Sequence, residues 1–430
     1  MHQRVEVPDK EPLRSPSAKM GPLRSGAHVV LGSGRFPTLT DWRVRSRRGT
    51  GPHARGVRVF AVEPTSVQLD WAALGPGPVT VRAADSSVEL LTDGGPGVVT
   101  LDGLPAGRSL TVTISGDGVP KNRSGHAEFA LSARTPVPPP GEEIARVATI
   151  SDAHVGETTF GYLHTIGEPR STDPGDAHSL RAARAAIDES LTWEAQRLVC
   201  KGDIVDQSHP GHWADTLALL EAAPVPVHLV AGNHEVKKRR SVDPGDALAG
   251  SAVHYTDHVD AVDLGGASLV LVNSSLPDHE RGQLATTGDD LEAALAEAEG
   301  GALVTMHHHL RTGNAVSAWP VGVPRREAVG VLDRIVGIHP HTMITSGHVH
   351  RNRFRRHGPL VLTCVGSVKD YPGVWAGYVF HEGGMRQVIR RVAEPSVVAW
   401  TDRTGDALVG FYRFWTPSTL AKRCPVVTWS

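Results

Sequence analysis

Leu198-Val199-Cys200-Lys201-Gly202-Asp203-Ile204-Val205-Asp206 decides the fold. A short apolar run stops at a glycine, and carboxylates follow at once. A run of this length with a glycine at its end reads as a buried strand. Four more pieces repeat the pattern. Residues 147–150 lead into Ser151-Asp152-Ala153-His154, and residues 227–230 into Gly232-Asn233-His234-Glu235. Residues 302–306 lead into His307-His308-His309, and residues 342–345 into Gly347-His348-Val349-His350. In α/β folds, ligand chemistry gathers outside the carboxyl ends of strands. Strand ends that all carry Asp, His or Asn therefore imply one shared location.

Between these strands the apolar spacing predicts helices over residues 179–197, 213–222, 290–299 and 325–336; in the second, Ala214, Leu217 and Leu220 keep one face. The side chains at the strand ends set the chemistry. Carboxylate, imidazole and amide oxygen suit Fe, Mn, Zn and similar ions, not a soft thiolate site. Their number exceeds the roughly four ligands of one tetrahedral zinc. It suits two ions about 3.5–4 Å apart sharing one carboxylate. Such a pair lowers the pKa of a bridging water towards neutrality and neutralises phosphate oxygens during displacement. The chemistry implied is attack of metal-bound hydroxide on the phosphorus of a phosphate ester.

Taken in order, the pieces DxH, GDxxD, GNH, H and GHxH resemble the calcineurin-like metallophosphoesterase family over residues 145–383. The resemblance implies an α/β (α+β) catalytic domain of two packed mixed β-sheets flanked by helices, with the metals at one rim. It implies two divalent or trivalent ions (Mn, Fe or Zn) as cofactors. Asp152, His154 and His350 would bind the first ion, and Asn233, His307 and His348 the second. Asp203 would bridge both. His234 would be the catalytic side chain, and Asp206 would orient it by accepting its other ring N–H. Many relatives read His-His-Pro at the fourth piece, where this chain has His307-His308-His309-Leu310. His307 lies nearest the strand end and is the expected ligand; His308 is the alternative. Glu235 stands where Asp is commoner, and a loop contact accounts for it. Gln207 stands where the protein Ser/Thr phosphatases carry Arg, which argues against that branch.

At 430 residues the chain has room for two or three domains. Its net charge of −2 sets up no global field towards nucleic acid or an anionic membrane. No apolar run reaches membrane-spanning length. Residues 1–25, rich in charge and proline, lack the apolar core of a signal peptide, so a disordered start and a cytoplasmic location are expected. Three cysteines, Cys200, Cys364 and Cys424, cannot make a disulfide framework. Cys200 and Cys364 sit in apolar runs and are expected to be inert and buried.

Residues 26–134 read as a small β-sandwich preceding the catalytic domain. Short alternating strands at 57–60, 66–71, 79–81 and 110–114 are separated by turns such as Gly75-Pro76-Gly77-Pro78 and Gly94-Gly95-Pro96-Gly97. This part resembles a fibronectin type III domain, with Trp71 in the core and a Leu104-Pro105-Ala106-Gly107 turn. Leu110 departs from the pattern, since a corner tyrosine is typical there. Residues 43–48 are Arg-rich and read as a solvated basic loop. A Pro-rich linker spans 135–143 and the metallophosphoesterase domain 144–383. Residues 384–430 are expected to form a C-terminal β extension whose aromatics, Trp400, Phe411, Tyr412, Phe414 and Trp415, pack on another domain.

Candidates for substrate contact are Arg351, Lys369, Tyr371 and His309. Arg351 opens an Arg-rich hairpin just after His350. Lys369 and Tyr371 lie in the loop after a strand at 360–365. His309 replaces a stiff proline. The long loop over 156–178, with His164, is expected beside the metals. The expected substrate is a small phosphodiester, cyclic nucleotides included; the alternative is a phosphomonoester metabolite. The neutral charge speaks against a nuclease, and the intact ligand set against a non-catalytic binding protein. The sequence identifies no protein partner for the sandwich.

Overall fold

The computed structural model describes residues 56–121, 125–160, 166–167, 177–237, 242–313, 320–407 and 410–429. The start expected to be disordered, the Arg-rich stretch 43–48 and His164 lie outside them. The strands β1 (Arg58–Val62), β2 (Ser66–Trp71), β3 (Pro76–Ala83), β4 (Ser86–Asp93), β5 (Gly97–Asp102), β6 (Ser109–Ser115) and β7 (Glu128–Arg134) form two antiparallel sheets. Their orders are β1-β2-β5 and β4-β3-β6-β7. Period-2 alternation places Val79, Val81 and Ala83 of β3 and Val112 and Ile114 of β6 in one core with Trp71. The Gly75-Pro76-Gly77-Pro78 stretch, expected as a turn, instead opens β3. Its prolines precede the point where β6 pairs with β3, at Thr80, so that ladder does not need their missing N–H groups.

The rest of the chain builds two larger sheets. The first takes β8 (Glu143–Ile150), then β11 (Arg197–Lys201), β12 (Val227–Val230) and β13 (His254–Thr256) in parallel, with a small β9–β10 hairpin (Thr159–Phe160, Ile166–Gly167) on the way. Antiparallel strands β20 (Val374–His381), β21 (Gly384–Arg391) and β22 (Val426–Thr428) complete the order β13-β12-β11-β8-β20-β21-β22. The second sheet has parallel β15 (Ser268–Val272), β16 (Ala302–Met306), β17 (Thr342–Ser346) and β19 (Leu360–Cys364). It is edged by antiparallel β14 (Val259–Asp263) and β18 (Arg353–His357). The sheets pack face to face. In β15, Leu269 and Leu271 enter the core shared with Val147, Ile150 and Leu198, while Val270 and Val272 face outward under helices. The buried Lys201 crosses the layer, its Nζ donating to Thr345 Oγ1 at 3.1 Å.

Helices α1 (His178–Thr192), α2 (Pro210–Glu221) and α3 (Pro244–Leu248) join strands of the first sheet. Helices α4 (Gly288–Ala296) and α5 (Arg325–Ile338) cover the second with one apolar stripe each. The two mixed sheets flanked by helices agree with the expected fold class. The helix expected over 179–197 stops at Thr192, because Glu194 takes a left-handed φ of 66° and the chain turns into β11. The C-terminal β extension holds more helix than strand: α6 (Pro395–Thr404), α7 (Phe411–Trp415) and α8 (Leu420–Arg423) lie between β21 and β22. Val397-Val398 looks like a strand, but Pro395 at the first turn and the Glu394 carboxylate accepting Val397 N–H start a helix. Of the aromatics expected to pack away, Trp400 does so against the His178 ring, whereas Phe414 is 85% exposed. Among the described residues no helix is long and apolar enough to cross a membrane.

The sandwich docks through the polar face of β2, which an isolated sandwich would turn to water. Gln68 exchanges two hydrogen bonds with the Arg391 backbone, and Asp70 accepts from Arg58 and Arg391. Glu63 accepts from Arg386, Arg390 and Trp193 Nε1. Burial by itself would raise the Glu63 carboxyl, but Arg390 and Arg386 overcome it and hold the pKa at about 2. Removing one partner of such a buried group strands the others. Glu63→Ala should therefore cost about 3 kcal/mol, read as a lower urea midpoint. The carboxyl is depressed on folding, so its contribution is complete above pH 4.5 and fades as pH falls towards about 2. Wild type and Glu63→Ala should converge in stability over that window.

Candidate metal centre

The candidate metal-binding side chains all leave the carboxyl ends of parallel strands: β8, β11 and β12 of one sheet, β16 and β17 of the other. The loops after β8 and β11 continue the parallel ladder, with His154 N–H donating to Asp203 O at 2.9 Å and Val155 N–H to Ile204 O at 2.7 Å. This registers the first two pieces against each other. Gly347 N–H donates to His307 O at 3.0 Å and ties the fourth piece to the fifth. Glu235, fully buried, accepts N–H groups of Asp203 (2.8 Å), Val205 (2.8 Å) and Gly232 (2.7 Å), so it braces the loops as a loop contact. Glycine is required beside the carboxylates. A Cβ on Gly232 would lie 2.2 Å from Asp203 Oδ1, and one on Gly347 2.6 Å from Asp152 Oδ2.

The expected ligands converge. His350 Nε2 lies 3.4 Å from Asp152 Oδ1 and 3.3 Å from His154 Nε2. His307 Nε2 lies 3.2 Å from Asp203 Oδ2 and 3.1 Å from Asn233 Oδ1. Asp203 Oδ2 is 3.8 Å from His154 Nε2, so this carboxylate touches both groups. His348 completes a third cluster with His307 and His308, ligand atoms lying within 4.8 Å of one another. Asp152, His154, Asp203, His348 and His350 adopt φ between 45° and 67°, a backbone that costs non-glycine residues of order 1–3 kcal/mol each. Such strain persists where the surroundings over-determine it, and it aims these side chains inward.

The residues fit a pair of cations. Asp152 and Asp203 are buried together, and burial alone would raise both carboxyls; His350 lowers the first, and His307, then His234, hold the second well below the usual range. The carboxylates in turn draw protons onto imidazoles. Against burial, Asp203 lifts His307 to about 9, and Asp152 with Asp370 lifts His350 to about 10. Burial drives His348 down to about 3 and His154 well below its ordinary value, so both offer lone pairs. His154 Nδ1 and His348 Nε2 are buried with no hydrogen-bond partner. Bound cations would supply the positive charge and a partner for the free His348 nitrogen at once.

His234 stands at the open side. Its Nδ1 meets Asp206 Oδ1 at 2.7 Å, as expected, and its Nε2 lies 3.4 Å from Lys237 Nζ. Burial opposes protonation of His234, yet Asp203 and Asp206 raise its pKa. The candidate ligands form one end of a cavity of about 550 Å³, whose walls include Phe160, Tyr412 and Trp415.

Of the four candidate substrate contacts, Lys369 lines this cavity, but its Nζ donates to Glu157 at 2.7 Å and Asp370 at 2.9 Å. Arg351 stands behind the wall, its guanidinium 3.9 Å from the Trp415 ring centre. Tyr371 is a correction. It is buried at the sandwich contact, where its hydroxyl accepts from Arg58 at 2.9 Å under the Arg391 and Arg413 guanidiniums. His309 is another, turned behind His348 towards Arg353, with Gly322 packed on its ring. His308 Nδ1 is spent on Ser274 Oγ at 3.1 Å, while His307 Nδ1 donates to Lys201 O at 2.8 Å and aims Nε2 inward. That favours His307 of the two. Sequence reasoning missed Asp370, which takes His350 Nδ1–H at 2.6 Å, although it lies between two residues singled out. It also missed Glu280, which accepts from Asn233 Nδ2 at 2.8 Å.

Residues 145–352 match the model of the calcineurin-like phosphoesterase family. A curated relative from Psychrobacter sp., named a probable cyclic nucleotide phosphodiesterase, is 23% identical over 235 residues, 50% of this chain and 65% of its own length. A protein of the same name from Rhodococcus erythropolis is 33% identical over 155 residues, 34% of this chain and 49% of its own length. The chain thus spans less than two thirds of either relative. A dimetal phosphatase from Danio rerio overlaps 59% of this chain and 98% of its own at 16% identity and TM-score 0.46.

Partners that orient a ligating imidazole are worth 10–100-fold in metal affinity. Asp370→Asn should weaken binding of the ion held by His350 by about that factor. Chelator competition followed by metal analysis would check it, and unchanged affinity would remove Asp370 from the site.

Proposed function

We propose that the chain is a dinuclear-metal phosphodiesterase acting on small diesters, cyclic nucleotides among them. One observation carries the proposal: Asp203 touches two ligand clusters, and the His234–Asp206 pair stands beside them facing a cavity. The names of the two curated relatives support the diester class. In this reading Asp152, His154 and His350 hold one ion and Asn233, His307 and His348 the other, with Asp203 shared. Manganese, iron and zinc all suit these ligands. When bound, such a pair activates water and neutralises the phosphate oxygens.

The chain's own residues do the remaining work. Asp206 holds His234 by Nδ1, leaving Nε2 to deliver a proton to the leaving-group oxygen. Lys237 lies beside that nitrogen and is paired with Glu280 at 3.5 Å. Asp370 keeps His350 turned to its ion, and Glu235 keeps Asp203 in register. Residues 58–134 are proposed to be a fibronectin type III-like sandwich, supported by antiparallel sheets of three and four strands around a buried Trp71.

The test strips the protein with chelator, reloads it with manganese and compares bis(p-nitrophenyl) phosphate with p-nitrophenyl phosphate. Diester turnover should vanish in Asp203→Asn together with bound metal. His234→Ala should lose about 10²–10⁴-fold in kcat while keeping its metal content. Monoester turnover with none on the diester would reject the diester class.

A further inference from the structure

The metal cavity has a second wall that the ligand chemistry does not explain. Phe160 comes from the β9–β10 hairpin, between the first two metal-binding pieces. Tyr412 and Trp415 come from α7, some 60 residues beyond the matched 145–352 segment. These two stretches, distant in sequence, meet over the candidate ligands, with the Phe160 and Tyr412 rings edge to face at 5.2 Å. Val349, Ala407 and Pro320 continue the surface. The Arg351 guanidinium packs on the Trp415 ring at 3.9 Å and fixes its position.

A phosphate alone needs cations and donors, and a bare sugar phosphate needs several donors and acceptors for its hydroxyls. This wall offers little of either. Lys369, the one lysine among its lining residues, is neutralised by Glu157 and Asp370. What remains is aromatic surface plus the Tyr412 hydroxyl. A cavity of about 550 Å³ lined both by candidate metal ligands and by aromatic rings matches a ligand of the same two-part character. We propose that Phe160, Tyr412 and Trp415 bind a nucleobase carried by the substrate, and so select nucleotide diesters over other small diesters. The proposal rests on the phosphodiesterase reading and adds the part of the substrate that lies beyond the phosphorus.

The test is calorimetric titration of the manganese-loaded protein with adenosine 5′-monophosphate and with ribose 5-phosphate. Both present the phosphate to the metals, and only the first carries a base. The nucleotide should bind about tenfold more tightly, the scale of one base on an aromatic side chain. Trp415→Ala and Phe160→Ala should each shrink that ratio severalfold by weakening the nucleotide alone, and Trp415→Phe should restore most of it. Equal affinities in the wild type would overturn the wall, as would a ratio that survives both alanine variants. Weakening of both ligands in parallel would also overturn it, because the wall would then only support the metal site. Failure of either ligand to bind, with no diester turnover, would sink the phosphodiesterase reading and the wall together. Ribose 5-phosphate binding without preference would sink the wall alone.

Discussion

Two carboxylates, Asp152 and Asp203, are buried side by side at the rim where two sheets meet, and like charges so placed need positive charge close by. Much of the local structure follows from that requirement. Imidazoles from four different strand ends surround the pair, and five of the clustered residues accept left-handed backbone to reach it. Gly232 and Gly347 leave room for the oxygens. Asp203 also accepts His234 N–H at 2.8 Å, so one carboxylate organises both its candidate ion and the neighbouring loop. Glu235 adds a third buried carboxyl. Burial and the Asp203 charge push it up to about 7, against three backbone N–H donors that hold the loops around it.

The same principle recurs where the sandwich meets the catalytic sheet. There Glu63 and Asp70 face Arg386, Arg390, Arg391 and Arg58. A buried ion pair gains little net stability over a good apolar contact, but it punishes any misalignment heavily. Its effect is to set the position of β2 on β21 and, through β21 and the segment after it, the position of α6 and α7. The aromatic wall over the metal cavity therefore depends on an interface that contributes no candidate ligand. Tyr371 belongs to that interface, its hydroxyl on Arg58 and its ring under two guanidiniums, which is why a loop beside the site sends it away from the cavity.

Much of the centre was legible in the chain. A short apolar run stopped by glycine and followed by Asp, Asn or His specifies both a buried strand and what it carries, because the apolar period and the ligand type are local properties. The five ligand-bearing strands and four of the helices could be read in that way, and the His234–Asp206 pair followed from the family resemblance. Helix ends and the C-terminal segment could not. Val397-Val398 has the β-branched character of a strand, and only the Glu394 cap and Pro395 turn it helical. Asp370 was invisible because orienting His350 is a long-range relation between a loop and a strand end.

By itself, then, the sequence determined the ligand-bearing strands, their order along the chain and the chemical type of the centre, since each rests on residues a few positions apart. Tertiary structure decided which of the three consecutive histidines points inward. His307 and His309 are two residues apart, yet one faces Asp203 and the other turns towards Arg353, set by Lys201 O, Ser274 and Gly322. It also decided that Phe160 and Tyr412 share a wall. Packing between distant segments depends on how whole sheets and interfaces register, and no local pattern encodes that.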